Sequence, residues 1–226
     1  MSINRFSIAA FALLAVISSN AQTSNNGRLS WWPAYYLRYS INKRWIINAD
    51  IQARNFAKEP VLGLIALRAG AHYRFSSHWS TAIGSAWFHQ QQFNADKKKV
   101  VSDELRLWED IRHETKLDRW RIINQVRIEQ RYWTNLDGIA FRFRYRLAGE
   151  YLLKEKWKVI AGNEIMWQAS RKRDNWDQYR IWLGGEYSFN EKKQVQLLLM
   201  NWSQFSSNTH QPAIRINFVQ SINRTL

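Results

Sequence analysis

The chain of 226 residues has no cysteine, only three prolines and nine glycines. It also has no run of apolar residues approaching the roughly 18 that a membrane helix needs. Zero cysteine removes a lipoprotein anchor, a thiolate metal site and a disulfide framework in one step. Scarce proline fits a chain that is almost entirely paired strand, because proline lacks the N–H that a ladder uses. The five histidines contain no pair at metal-ligand spacing, so neither a metal nor another cofactor is expected. Acid is short as well: 18 Asp and Glu stand against 33 Lys and Arg, a formal charge of +15.

What is abundant is aromatic. Thirteen tryptophans and 15% aromatic residues coexist with a mean hydropathy of −0.49. Four times a short polar turn ends in a basic residue followed at once by tryptophan, and an alternating segment begins there: Arg44-Trp45, His78-Trp79, Arg119-Trp120 and Lys156-Trp157. Indole prefers the water–lipid boundary and a basic side chain reaches headgroups beside it, so this placement predicts a membrane-spanning β-barrel. Trp167 shares parity with Trp157 and lies ten residues further on. That is about 33 Å along a strand, or about 25 Å of height at the usual tilt, the separation of two aromatic girdles. Trp45, Trp79, Trp120, Trp157 and Trp167 are therefore the expected interface residues.

Residues 1–21 read as a signal peptide, with Arg5 in the positive region, Ile8 to Ile17 as the apolar region and Ser19-Asn20-Ala21 as the small-residue cleavage site. Residues 22–226 are then one domain by length. From Gly27 onward the pattern has period two in eleven segments: Arg28 to Ser40, Trp45 to Phe56, Leu64 to Phe75, Trp79 to Gln90, Asp103 to Leu117, Trp120 to Trp133, Ile139 to Leu152, Trp157 to Gln168, Trp176 to Phe189, Gln194 to Gln204 and Ala213 to Ser221. Tight turns alternate with longer loops, the asymmetry of periplasmic turns and outer loops. The fold class is all-β: an antiparallel up-and-down transmembrane barrel of ten to twelve strands, with twelve preferred because such barrels close with even numbers. Pro33 makes the first segment the expected place for an irregularity.

One parity of the segments faces lipid and the other carries nearly all the charge. The inward ladder is Glu104, Arg106, Asp110, Arg127, Glu129, Arg131, Arg142, Arg144, Arg146, Glu164 and Arg180. Counting from the Asp118-Arg119 turn places Asp110 opposite Arg127, and similar counting aligns Glu129, Arg144, Glu164 and Arg180 to within about two residues. Two readings stand together. Arg–carboxylate pairs fill a narrow barrel, and the excess of arginine favours anions on a solute path. Outer-membrane lipid and lipopolysaccharide, met by Lys97-Lys98-Lys99 and Arg171-Lys172-Arg173 in outer loops, and small anionic solutes are the expected partners. Nucleic acid is not, since the basic residues follow strand parity and no recognition motif accompanies them.

No catalytic residue is assigned. His78-Trp79-Ser80 resembles the histidine-x-serine spacing of outer-membrane phospholipases but falls in a tight turn with Ser80 facing inward. His89 and His210 lie near outer loops where a distant serine or carboxylate could reach them, which keeps a lipid-modifying hydrolase as the alternative function. A soluble periplasmic sandwich would require the outward Trp, Phe and Ile set to be buried between sheets.

The motifs Glu104-Leu-Arg106-Leu-Trp108-Glu-Asp110, Arg127-Ile-Glu129-Gln-Arg131, Arg142-Phe-Arg144-Tyr-Arg146-Leu147, Asn163-Glu164 and Asp177-Gln-Tyr-Arg180 with Leu183-Gly184 resemble, in order, those of the domain-of-unknown-function 2490 family. Tyr179 stands where that family usually has asparagine. The resemblance implies an outer-membrane β-barrel of a Gram-negative bacterium, in the cell outer membrane, and implies no activity.

Overall fold

The computed structural model describes residues 29–55, 62–93, 98–134, 136–170, 174–205 and 209–224. The signal segment, Lys97 and Arg171-Lys172-Arg173 lie outside the described residues. Eleven strands form one closed barrel: β1 (Ser30–Ser40), β2 (Trp45–Asn55), β3 (Leu62–Arg74), β4 (Trp79–Phe93), β5 (Lys99–Leu117), β6 (Trp120–Trp133), β7 (Leu136–Lys154), β8 (Trp157–Ser170), β9 (Asn175–Ser188), β10 (Lys193–Gln204) and β11 (Thr209–Asn223). The expected loop over 91–102 is mostly strand, because β4 continues to Phe93 and β5 starts at Lys99.

Eleven falls inside the expected range but replaces the preferred twelve, and closure explains how. Ten neighbour pairs are antiparallel, and β1 pairs with β11 in parallel, from Ser30↔Ala213 to Ser40↔Asn223. An odd number of alternating strands leaves the first and last pointing the same way, so only a parallel seam can close the ring. Pro33 does not break β1. The Trp31 N–H points to the β2 side, where it donates to Asn55, and Pro33 two residues on faces the same side. The β1–β2 ladder starts only at Ala34↔Gln52, so the missing N–H leaves no ladder bond unmade.

Three of the short turns share one local device. Asn42 Oδ1 accepts from the backbone N–H groups of Arg44 and Trp45, both at 2.8 Å. Ser76 Oγ accepts from His78 and Trp79, and Asn190 Oδ1 from Lys192 and Lys193. In each, a side-chain acceptor three residues before the strand start binds the N–H groups two and three residues on and fixes the turn. The tryptophans that open β2, β4, β6 and β8 stand at the short-turn end. There Trp45 packs on Tyr73, Trp120 on Tyr151 and Trp157 on Tyr187, with ring centroids 4.6–4.8 Å apart, and Trp79 packs on His113 at 4.5 Å. Each partner is the directly cross-strand residue. Trp167, towards the long-loop end, packs on Phe143 at 5.5 Å.

Outside, Ile51, Leu67, Ile83, Val126, Phe141, Phe143, Leu197 and Leu199 are exposed in an apolar band. Inside, the alternate residues are buried. That exposed apolar belt with a polar interior is the inverse of a soluble protein and excludes a sandwich core, which would cover the outward set.

Candidate functional site: the charged lumen

The inward residues divide the lumen by height. At the long-loop end, β5 to β9 build a plate of ion pairs. Glu104 accepts both Arg106 (2.6 and 2.7 Å) and Arg131 (2.5 and 3.2 Å). Glu129 accepts Arg142 Nε at 2.9 Å and is also bound by Arg144. Arg142 reaches Asp177 at 3.2 Å. Its side chain is 1% exposed and that of Glu129 2%. Arg106 lies over the Phe88 ring at 3.7 Å, and Arg131 also donates to Gln168. Charges this deep persist only because each has several opposite partners.

Just below the plate, Asp110 accepts Arg127 at 2.6 and 3.0 Å, and the two residues are opposite in register. Arg144 bridges from Glu129 to Glu164 at 2.6 Å, and Arg180 reaches Glu164 at 3.4 Å. Glu129, Arg144, Glu164 and Arg180 therefore form a connected chain, but not one ladder row. In the backbone register Glu129 faces Arg142 and Glu164 faces Arg146, so the steps through Arg144 run diagonally, two residues off the aligned count, whereas Glu164 faces Arg180 directly as expected. Arg146, the remaining ladder member, makes no hydrogen bond with a described group and lies over Trp182 at 5.1 Å.

Simple alternation from Arg180 puts Asp177 outside, and the structure turns it inward. A bulge lets Met166 face Gln178 while Trp167 faces Trp176, and the extra residue turns Asp177 in towards Arg142. Trp108 and Trp182 lie flat on the wall over glycines. A Cβ on Gly70 or Gly84 would come within 2.4 and 2.3 Å of the Trp108 ring, and one on Gly162 within 2.5 Å of Trp182. Arg127 covers Trp108 at 3.9 Å.

Below the plate the lumen is open space. A cavity of about 330 Å³ is lined by nine arginines and three carboxylates, and none of Glu104, Arg106, Glu129, Arg131 and Arg142 belongs to its wall. A second space of about 300 Å³ shares Arg38, His72 and Arg112 with it and reaches the short turns at Ser76 to Trp79.

The histidines give no assembled catalytic group at the short-turn end. His78 pairs with Ser77 at 2.8 Å, not with Ser80. Two outward pairs occur near the long-loop end: His89 Nδ1 with Asp103 at 2.8 Å and His210 Nδ1 with Ser203 Oγ at 2.8 Å. Ser203 lies directly across from His210 in the ladder. Among the described residues no group of three or more His, Asp or Glu is placed to hold a metal ion.

A closed ring of mostly antiparallel strands with an apolar belt, an aromatic girdle and a charged interior defines a β-barrel of the outer-membrane type. Its likeness to solved structures is one of fold. It is similar to the in-vitro folded OmpT of Vibrio cholerae (14% identity, 74% of this chain, 52% of that chain, TM-score 0.45). It is also similar to the loop L8 deletion mutant of OmpT (14%, 76% and 58%, 0.47) and to the beta domain of the Bordetella autotransporter BrkA (11%, 77% and 78%, 0.41). The chain spans about half the length of the OmpT chain it matches first. No curated protein matches the sequence. Residues 29–212 match the family described as protein of unknown function, DUF2490, and the chain belongs to that family.

Proposed function

We propose that the protein is exported through residues 1–21, resides in the outer membrane of a Gram-negative bacterium with its short turns in the periplasm, and offers anions a narrow, largely filled passage. The carrying observation is the imbalance below the plate, nine arginines against three carboxylates on one cavity wall. Fixed positive charge in a confined lumen concentrates anions and repels cations. The Glu129–Arg142 contact is the constriction, and loops at the upper end face lipopolysaccharide.

Single-channel recording in a planar bilayer tests this. The expected result is a small conductance with anion preference, moved further towards anions by Glu129→Gln and towards cations by Arg144→Gln. A cation-preferring wild type would refute the reading. A folded but silent barrel would leave a structural wall protein. The Ser203–His210 contact on the outer wall is the one observation favouring the alternative, a lipid-modifying hydrolase. Loss of ester cleavage on Ser203→Ala, in lipid vesicles where the wild type cleaves, would establish that reading instead.

A further inference from the structure

We infer that the lumen cavity is a binding site for an organic anion, a phosphate or carboxylate group carried on an apolar ring or short chain, admitted from the short-turn end. The inference rests on the anion-favouring reading above and adds the ligand's second, apolar half.

The cationic wall is unusual in what it leaves unpaired. The three lining carboxylates are already engaged: Asp50 with Arg68 at 2.9 Å, Glu150 with Arg121 at 3.1 Å and Glu164 with Arg144 and Arg180. Arg54, Arg146 and Arg215 have no carboxylate within ion-pair distance among the described residues. Arg54 donates to the neutral Gln52, and Arg215 to Asn217 and Tyr36. Buried donors without an acceptor gather around the same space: Nε of Arg54, Arg146 and Arg180, and Nε1 of Trp32. Trp32 is 5% exposed, so its indole N–H is withdrawn from bulk water. Buried donors left unmade are costly, and guanidinium forks match phosphate and carboxylate oxygens in pairs.

Between these arginines the wall is apolar. Trp32, Ile160, Trp182, Leu198 and Met200 belong to one buried cluster and all five line the cavity. A filled structural barrel needs no such pairing of an unneutralised guanidinium set with an aromatic face. Inorganic anions would use only the first half. The volume lies at the small end of ligand sites, which suits one ring or a few methylenes. Arg54 lies over Trp32 at 4.2 Å and Arg146 over Trp182 at 5.1 Å, so the charged and apolar halves meet at two seams where such a ligand would bridge them.

The test is titration calorimetry with parallel tryptophan fluorescence on the chain refolded into zwitterionic lipid vesicles. The probes are phenyl phosphate, inorganic phosphate and benzyl alcohol. Phenyl phosphate is expected to bind about tenfold or more tightly than either of the others. Arg146→Gln and Arg54→Gln should each weaken it by about tenfold, and Trp182→Leu should remove the advantage over inorganic phosphate while leaving inorganic phosphate unchanged. Neither arginine holds a partner carboxylate, so both variants should fold, which the retained gel-shift of the folded barrel checks. Equal binding of phenyl and inorganic phosphate, or full binding by both arginine variants, overturns the inference. Anion-selective conductance without phenyl phosphate binding would sink this inference alone, and cation selectivity would sink the reading beneath it.

Discussion

The plate and the cavity of the lumen use the same residue, arginine, in opposite ways. At the long-loop end, Arg106, Arg131, Arg142 and Arg144 are each held by carboxylates, and the interior is packed to the point that Arg142 is 1% exposed. Around the cavity, Arg38, Arg54, Arg112, Arg146 and Arg215 line open space without an acid partner among the described residues. Ion pairing closes a barrel, and unpaired charge beside a cavity keeps it receptive. The difference is not of composition along a strand, since β7 supplies Arg142 to the plate and Arg146, four residues later, to the cavity.

The largest test of that contrast is to remove one partner in each region. Glu129→Gln leaves Arg142 buried without its main counter-charge and is expected to cost about 3–5 kcal/mol of stability. Arg146→Gln breaks no ion pair, its attraction to Glu164 is offset by repulsion from Arg112 and Arg215, and it loses one ring contact, so its effect should stay within about 1 kcal/mol. Urea unfolding in lipid vesicles measures both, and equal costs would erase the distinction. Next in size, Gly84→Val should destabilise by about 1–3 kcal/mol, because its Cβ would sit 2.3 Å from both the Trp108 ring and the Ala69 carbonyl oxygen. Gly149→Ala, where nothing lies within 4 Å, is the control and should leave the unfolding midpoint in place. Smallest, Arg121→Gln at the open mouth breaks contacts with Glu114 at 2.7 Å and Glu150 at 3.1 Å. The pairs are partly hydrated, so about 0–1 kcal/mol is expected. That cost should shrink in added salt, whereas the Glu129→Gln cost should not.

Much of the barrel was legible because its signals are local. Four strand starts are written by a basic residue followed by tryptophan, three short turns carry a side-chain acceptor, and each face is written by parity, so the boundaries of β6 match the sequence reading at both ends and those of β2, β8 and β10 differ by at most two residues. The Asp110–Arg127 opposition was also within reach, since one tight turn fixes that hairpin. The aromatics beneath the girdle were less obvious: Tyr73, Tyr151 and Tyr187 become partners only when register is counted across each hairpin. Ser203, seven residues before His210, carries no sequence signal apart from its position beside a loop.

The sequence by itself determined an alternating, lipid-facing strand array with an arginine-rich interior, because strand parity, turn chemistry and interface tryptophans act over a few neighbouring residues. Tertiary structure decided the parallel β1–β11 seam, the inward turn of Asp177 at a bulge and the diagonal path of the ion pairs. It also decided which arginines would be left beside the apolar wall of Trp32, Trp182, Leu198 and Met200. Those depend on closing the ring and on the stagger between strands, which bring together residues as far apart as Tyr36 and Arg215. No local pattern encodes that stagger.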